Sequence, residues 1–159
     1  MNSSDEDKKI VADTNIILDF KRGEILFSLE ILPSKIMISH SVYSDELKHE
    51  HIDLQNLIQS EKIKIVQRNK ATDEIYDSLR QFKTKSTGRY DLLNLTLAIY
   101  FACTLATGDE KLKRLAHRKN VPTTGTIGMA EDIVKSGFSV DEMLVAFEKM
   151  KAADSIMSG

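Results

Sequence analysis

One cysteine among 159 residues, Cys103, excludes a disulfide framework. It lies inside the apolar run YFACTLAT and reads as a buried thiol in a reducing compartment, so a cytoplasmic location is expected. None of the four histidines (His40, His49, His51, His117) pairs with it at ligand spacing, which removes a Cys/His zinc site. No Gly-x-Gly-x-x-Gly follows the first apolar run, which disfavours a dinucleotide-binding module. No apolar stretch reaches the roughly 18 residues of a membrane span. The start MNSSDEDKK is polar and acidic, without the apolar core of a signal peptide. Excess positive charge is also lacking. A net charge of −2 argues against coating nucleic acid through bulk electrostatics. It does not exclude a nuclease, because a metal held by acidic ligands offsets their charge locally.

What is present is a regular alternation, with no Gly/Ser linker, low-complexity segment or internal repeat. Short β-branched or apolar runs at Ile10–Ala12, Ile36–Ser39, Ile63–Gln67, Thr104–Thr107 and Val121–Thr126 predict strands. Between them, helical spacing covers Ile16–Phe20, Glu24–Leu32, Ser41–Glu50, Asp53–Ser60, Ala71–Phe82, Asp91–Phe101 and Glu110–Asn120. Thr84–Gly88 reads as a polar loop. Two helices close the chain: Ile127–Ser136, ending at Gly137, and one opened by the capping pattern Ser139-x-x-Glu142. Five short strands separated by helices predict an α/β fold, a three-layer α/β/α sandwich around a parallel sheet. The length suits one domain over residues 1–159, with its core at about residues 8–150.

Four acids stand beside these elements: Asp13, Glu46, Asp91 and Asp109. Acids at the carboxyl ends of parallel strands converge on the crevice where open α/β sheets bind ligands. Negative charges gathered there repel unless protons or cations neutralise them, which points to divalent-metal phosphodiester chemistry. Each acid also has a purely local reading. Asp13 can cap the next helix. Asp91 can complement a helix N-terminus. Thr107-x-x-Glu110 can form a capping box that makes Asp109 incidental. Glu46 is hardest to explain locally. Val42, Tyr43 and Leu47 define the inward stripe of its helix and Glu46 falls inside that arc, whereas Asp45 points away. Glu50, one turn on, and Asn94, on the face of Asp91, are secondary candidates. Oxygen donors suit Mg²⁺ or Mn²⁺. Lysines and arginines gather beside two of the acids: Lys83, Lys85 and Arg89 before Asp91, and Lys111, Lys113, Arg114, Arg118 and Lys119 after Asp109. Arg89 and Lys111 are the candidates for substrate phosphates.

Taken together, VADTN, SDEL, GRYDLLNLTLA and LATGDEKL resemble the PIN domain, a family of small metal-dependent ribonucleases. The resemblance runs from Ile10 to Met150, and VPTTGTIGMAEDIVKSGF is similar to the family's closing segment. It implies a PIN-like sandwich and an acidic quartet of Asp13, Glu46, Asp91 and Asp109, catalytic and metal-binding, with Asn15 and Thr107 in supporting roles. It also implies Mg²⁺ or Mn²⁺ as cofactor and RNA as substrate. Size and layout are similar to the VapC-like toxin branch. That similarity implies an antitoxin protein as partner and a homodimer; with no apolar run of spanning length, no membrane partner is expected. The alternative is a PIN-like module that binds RNA or protein without cleaving it. A phosphoacceptor receiver is disfavoured because the third run, IKIVQRN, ends without an Asp. A haloacid-type phosphatase is disfavoured because Asp13-Thr14-Asn15 lacks the second acid.

Overall fold

The computed structural model describes residues 8–158, with side chains over 8–154. Five strands form one sheet: β1 (Lys9–Ala12), β2 (Lys35–Ser39), β3 (Ile63–Val66), β4 (Thr104–Ala106) and β5 (Thr123–Thr124). All pairings are parallel and the order is β3-β2-β1-β4-β5. The first strand is therefore central, with β2 and then β3 on one side and β4 and then β5 on the other. Parallel strands covered on both faces need apolar residues at successive positions. That is why Ile10, Val11 and Ala12 are all buried, as are Ile36, Met37 and Ile38.

Alternate side chains leave the sheet in opposite directions and seed two cores. Ile10, Ala12, Ile36 and Ile38 pack with α1 (Thr14–Arg22), α3 (Gln55–Gln59), α7 (Thr126–Lys135) and α8 (Val140–Ser158). Val11, Met37 and Leu105 pack with α4 (Lys70–Leu79), α5 (Arg89–Phe101) and α6 (Glu110–Arg118). The result is the expected three-layer sandwich. At the end of α1, Gly23 has an ordinary helical φ of −75°. Its lack of a side chain matters for space, since a Cβ there would lie 2.9 Å from Met150 Cε and 3.2 Å from Ala146 Cβ on α8.

Several elements differ from the sequence reading. The helix expected at Glu24–Leu32 is a 3₁₀ segment, Leu26–Ile31, behind Glu24, whose φ of 58° breaks the α path. Ser41–Glu50 is not one α-helix. A short α2 (His40–Val42) runs into a π turn, Tyr43–Leu47, closed by Lys48 N–H donating to Tyr43 O at 3.1 Å. The last strand is two residues long rather than Val121–Thr126. Pro122 has no N–H for the ladder, Val121 N–H is held by Ala116 O at the exit of α6, and Thr126 already begins α7. Cys103 is half-buried rather than fully enclosed, and burial pushes its thiol up to about 11.

Candidate active site

Because β1 and β4 are neighbours whose connections leave in opposite directions along the sheet, the crevice at their carboxyl ends is the topological switch point. The backbone pins it: Asp13 N–H donates to Ala106 O at 3.1 Å, and Thr107 N–H donates to Thr124 O at 2.9 Å. Helices α1, α5 and α6 all begin at this end of the sheet, and an acid stands at each start. Asp13 caps α1, its Oδ1 accepting Ile16 N–H at 3.0 Å. Asp91, in the first turn of α5, accepts Gly88 N–H at 3.0 Å through Oδ2. Asp109 caps α6, its Oδ1 accepting Lys111 N–H at 2.9 Å and Leu112 N–H at 3.1 Å. The local readings are thus correct without competing with the site. A carboxylate has two oxygens: each acid gives one to its helix, Asp13 turns the other to Thr107, and Asp13 and Asp91 both line the crevice.

Thr107 is not a capping-box residue, because Asp109 holds that position. Its hydroxyl donates to Asp13 Oδ2 at 2.5 Å and accepts Asp109 N–H at 3.1 Å, linking two of the acids. Asp13 is buried, 6% exposed, and Thr107 is wholly so. Burial raises the Asp13 carboxyl above its usual range, opposed by the Thr107 and Ile16 hydrogen bonds and reinforced by the charges of Asp91 and Asp109. Asp91 is raised in the same way, by burial first and then by Asp109, against the Gly88 N–H. The acids therefore repel one another in a partly desolvated place, the condition that cations relieve. Thr107→Val removes the donor and leaves a buried charged acceptor short of a partner. It is expected to cost about 1.5–3 kcal/mol of stability and to raise the Asp13 carboxyl further. Thermal melting of the variant checks the first effect, and a titration of the Asp13 carboxyl by NMR checks the second.

A cleft of about 330 Å³ opens over these residues. Five acids line it (Asp13, Asp45, Glu46, Glu50 and Asp91), together with Asn15, Asn94 and His49, but no lysine or arginine. Glu46 is half-buried, and its Oε1 accepts the Thr14 hydroxyl at 2.7 Å, as its place on the inward arc requires. Asn15 is exposed at the rim. Asp109 does not line this cleft, although its charge reaches both Asp13 and Asp91. Arg89 faces the neighbouring hollow of about 340 Å³ at the ends of β2 and β3, and approaches Asp45 at 3.9 Å. Lys111 extends over Ser86, Nζ to Oγ 2.8 Å, on the other side of α5's start.

Two cleft residues escape a reading by α-helical phase. Asp45 points away on an α-helix, and His49 reads as plain surface. The π turn adds a residue to the turn and so rotates the residues after it about the helix axis. Asp45, within the π turn itself, accepts the Tyr90 hydroxyl at 2.8 Å. That bond, more than the nearby Arg89, lowers the Asp45 carboxyl and raises the Tyr90 phenol.

Apart from His49, the donors lining the cleft are carboxylate, amide and hydroxyl groups, whose oxygens suit a hard divalent cation. Asn94 Oδ1 gives the test of fit: it is buried, has no hydrogen-bond partner, and its residue lines the cleft beside Asp13 and Asp91. Such an atom calls for a cation or water. Among the described residues, no three His, Cys, Asp or Glu side chains are already gathered to hold a metal ion. Mg²⁺ commonly keeps several waters and takes only one or two carboxylates, so a full protein cage is not required.

No curated protein matches the sequence. Among solved structures, the fold is similar to a PilT N-terminus domain protein from the hyperthermophilic archaeon Sulfolobus solfataricus P2. The two share 16% identity with a TM-score of 0.51, over 82% of this chain and 95% of that one. A family model, DUF3368, described as a PIN domain, matches residues 9–158. With the sheet order, the acids at the switch point and that match over nearly its whole length, the chain belongs to the PIN-domain family, whose members are generally nucleases.

Proposed function

We propose that this chain is an endoribonuclease that uses Mg²⁺ or Mn²⁺ to cleave RNA phosphodiester bonds, acting as the toxin of a toxin–antitoxin pair and forming a homodimer. The observation that carries the catalytic part is the cleft that Asp13, Glu46 and Asp91 all line, with no lysine or arginine in its lining. Asp13 and Asp91, each with one oxygen left over from its helix, would hold the cation, and Asp109 would add charge from the side of α6. Bound there, the ion supplies Lewis acidity toward the scissile phosphate and lowers the pKa of a water. Thr107 keeps the Asp13 carboxylate turned into the crevice. Thr14 fixes one oxygen of Glu46, leaving the other to orient the attacking water. Asn94 Oδ1 supplies a neutral acceptor at the floor.

The binding-only reading draws on the ungathered state of the acids among the described residues. One assay separates the two. Purified protein is incubated with mixed end-labelled RNAs in Mn²⁺, in Mg²⁺ and in EDTA. Cleavage in either metal that stops in EDTA is the expected result. Intact RNA under all three conditions would leave only binding.

A further inference from the structure

A second hollow, of about 840 Å³, adjoins the acidic cleft between the loop preceding α5 and the outer face of α6. Its charge is the reverse of its neighbour's. Lys111, Arg114 and Arg118 line it with His117, and no carboxylate does. In a chain of net charge −2, three cations on one wall with no acid among them are a local departure from the whole. They stand at i, i+3 and i+7, one face of α6 covering about 10 Å of helix. The cations are also held in place. Lys111 Nζ donates to Ser86 Oγ at 2.8 Å. The Arg118 guanidinium lies 5.4 Å from the Phe82 ring centre, and Lys119 Nζ lies 4.8 Å from it.

The two hollows have no lining residue in common, but short stretches of chain connect them to the same acids. Lys111 lends its backbone N–H to Asp109 while its side chain enters the basic groove. Thr87 lines that groove, and the next residue, Gly88, gives its N–H to Asp91. We propose that this groove carries the sugar–phosphate backbone of a single RNA strand on one side of the scissile bond, with Arg114 and Arg118 contacting successive phosphates. It is a concave slot between a loop and one helix face, which fits one strand. The cations on its wall bind phosphate without reading bases. This assignment rests on the ribonuclease reading for the identity of the strand, and can be tested without cleavage.

The test is fluorescence anisotropy of a labelled 12-nucleotide oligouridine RNA with the full chain in EDTA. Arg114→Gln/Arg118→Gln is expected to bind about tenfold more weakly. Its salt dependence should flatten by about 1.4 in log–log slope, at about 0.7 for each single-strand phosphate left unneutralised. Arg114→Gln alone, which leaves the Arg118–Phe82 stacking intact, should show half the change in slope. Lys135→Gln, an exposed site on α7 in the opposite layer, should bind as the parent does. Parent-like binding by the double variant, an equal loss in Lys135→Gln, or no binding by the parent would overturn the groove. Groove-dependent binding without cleavage in Mn²⁺ would keep the groove and remove the nuclease. Cleavage with groove-independent binding would do the reverse.

Discussion

Asp91→Asn is expected to cut RNA cleavage by orders of magnitude while making the metal-free protein more stable. These effects come from the same carboxylate. Asparagine keeps an oxygen for the Gly88 N–H, so the start of α5 stays closed. What it removes is a negative charge that burial and Asp109 both disfavour. The lost attraction to the α5 N-terminus, about 0.3–1 kcal/mol, works the other way. Burial and Asp109 outweigh the Gly88 hydrogen bond, and the carboxyl is raised.

The sign comes from linkage. A carboxyl raised in the folded state binds its proton more readily folded than unfolded, so the parent loses stability as pH rises from the usual carboxylate range through the folded-state value. Above that window the penalty is fully present; below it, absent. The variant should therefore melt higher than the parent at neutral pH in EDTA. The gap should close in acid. Saturating Mn²⁺ should reverse the order, since a ligand at a hundred times its dissociation constant stabilises the parent by about 2.7 kcal/mol. Cleavage should drop by roughly 10²–10³-fold, the range that single electrostatic groups supply in catalytic sites. Melting curves with and without Mn²⁺, beside the cleavage assay, check all three. A fully active variant, or one that gains as much from Mn²⁺ as the parent, would remove Asp91 from the site.

Phe20→Ala is expected to give the largest loss of stability. Phe20 is fully buried on α1, in the core that also holds Met143, Ala146 and Met150 of α8. Truncating a buried phenylalanine costs about 3–5 kcal/mol, transfer and cavity together. That is a large share of the 5–15 kcal/mol typical of whole domains, and lowers Tm by roughly 10 °C at this length. Phe20→Leu should fall between the two. The loss has a local meaning as well. Helix α1 begins at the Asp13 cap and carries Thr14, which holds Glu46, while Asp19 near its end accepts the Thr126 hydroxyl of α7 at 2.6 Å. Thermal unfolding measures the effect, and an unchanged midpoint would show that α8 and α1 do not depend on this ring.

Much of this architecture is legible in residue order because its signals are local. Continuous β-branched runs mark β1 to β3, and apolar periodicity marks α4 to α6. The position of Glu46 comes from helical phase, since α2 and its π turn still bring that residue inward. The features that escape such a reading depend on contacts between distant segments. Pro122 shortens the ladder at β5, and Asp45, which lines the cleft with His49, is held there by Tyr90. Asp109 stands aside from the cleft although its spacing matches the family pattern. The basic residues after Asp109 are visible as a cluster. That they form an acid-free groove with Ser86 and Phe82 depends on how α6 packs beside the loop, which their order along the chain does not specify.

The strand made first stands in the middle of the finished sheet. Ile10 lies beside Thr104, so nearly a hundred residues must emerge from the ribosome before that pairing can close. Until then Asp13 has no Thr107 to meet it, and β1 has an open edge on the side where β4 will lie. An incomplete chain cannot assemble the crevice, however well its early segments fold. For a protein proposed to cut RNA, that ordering holds back the site until β4 and Thr107 have been made.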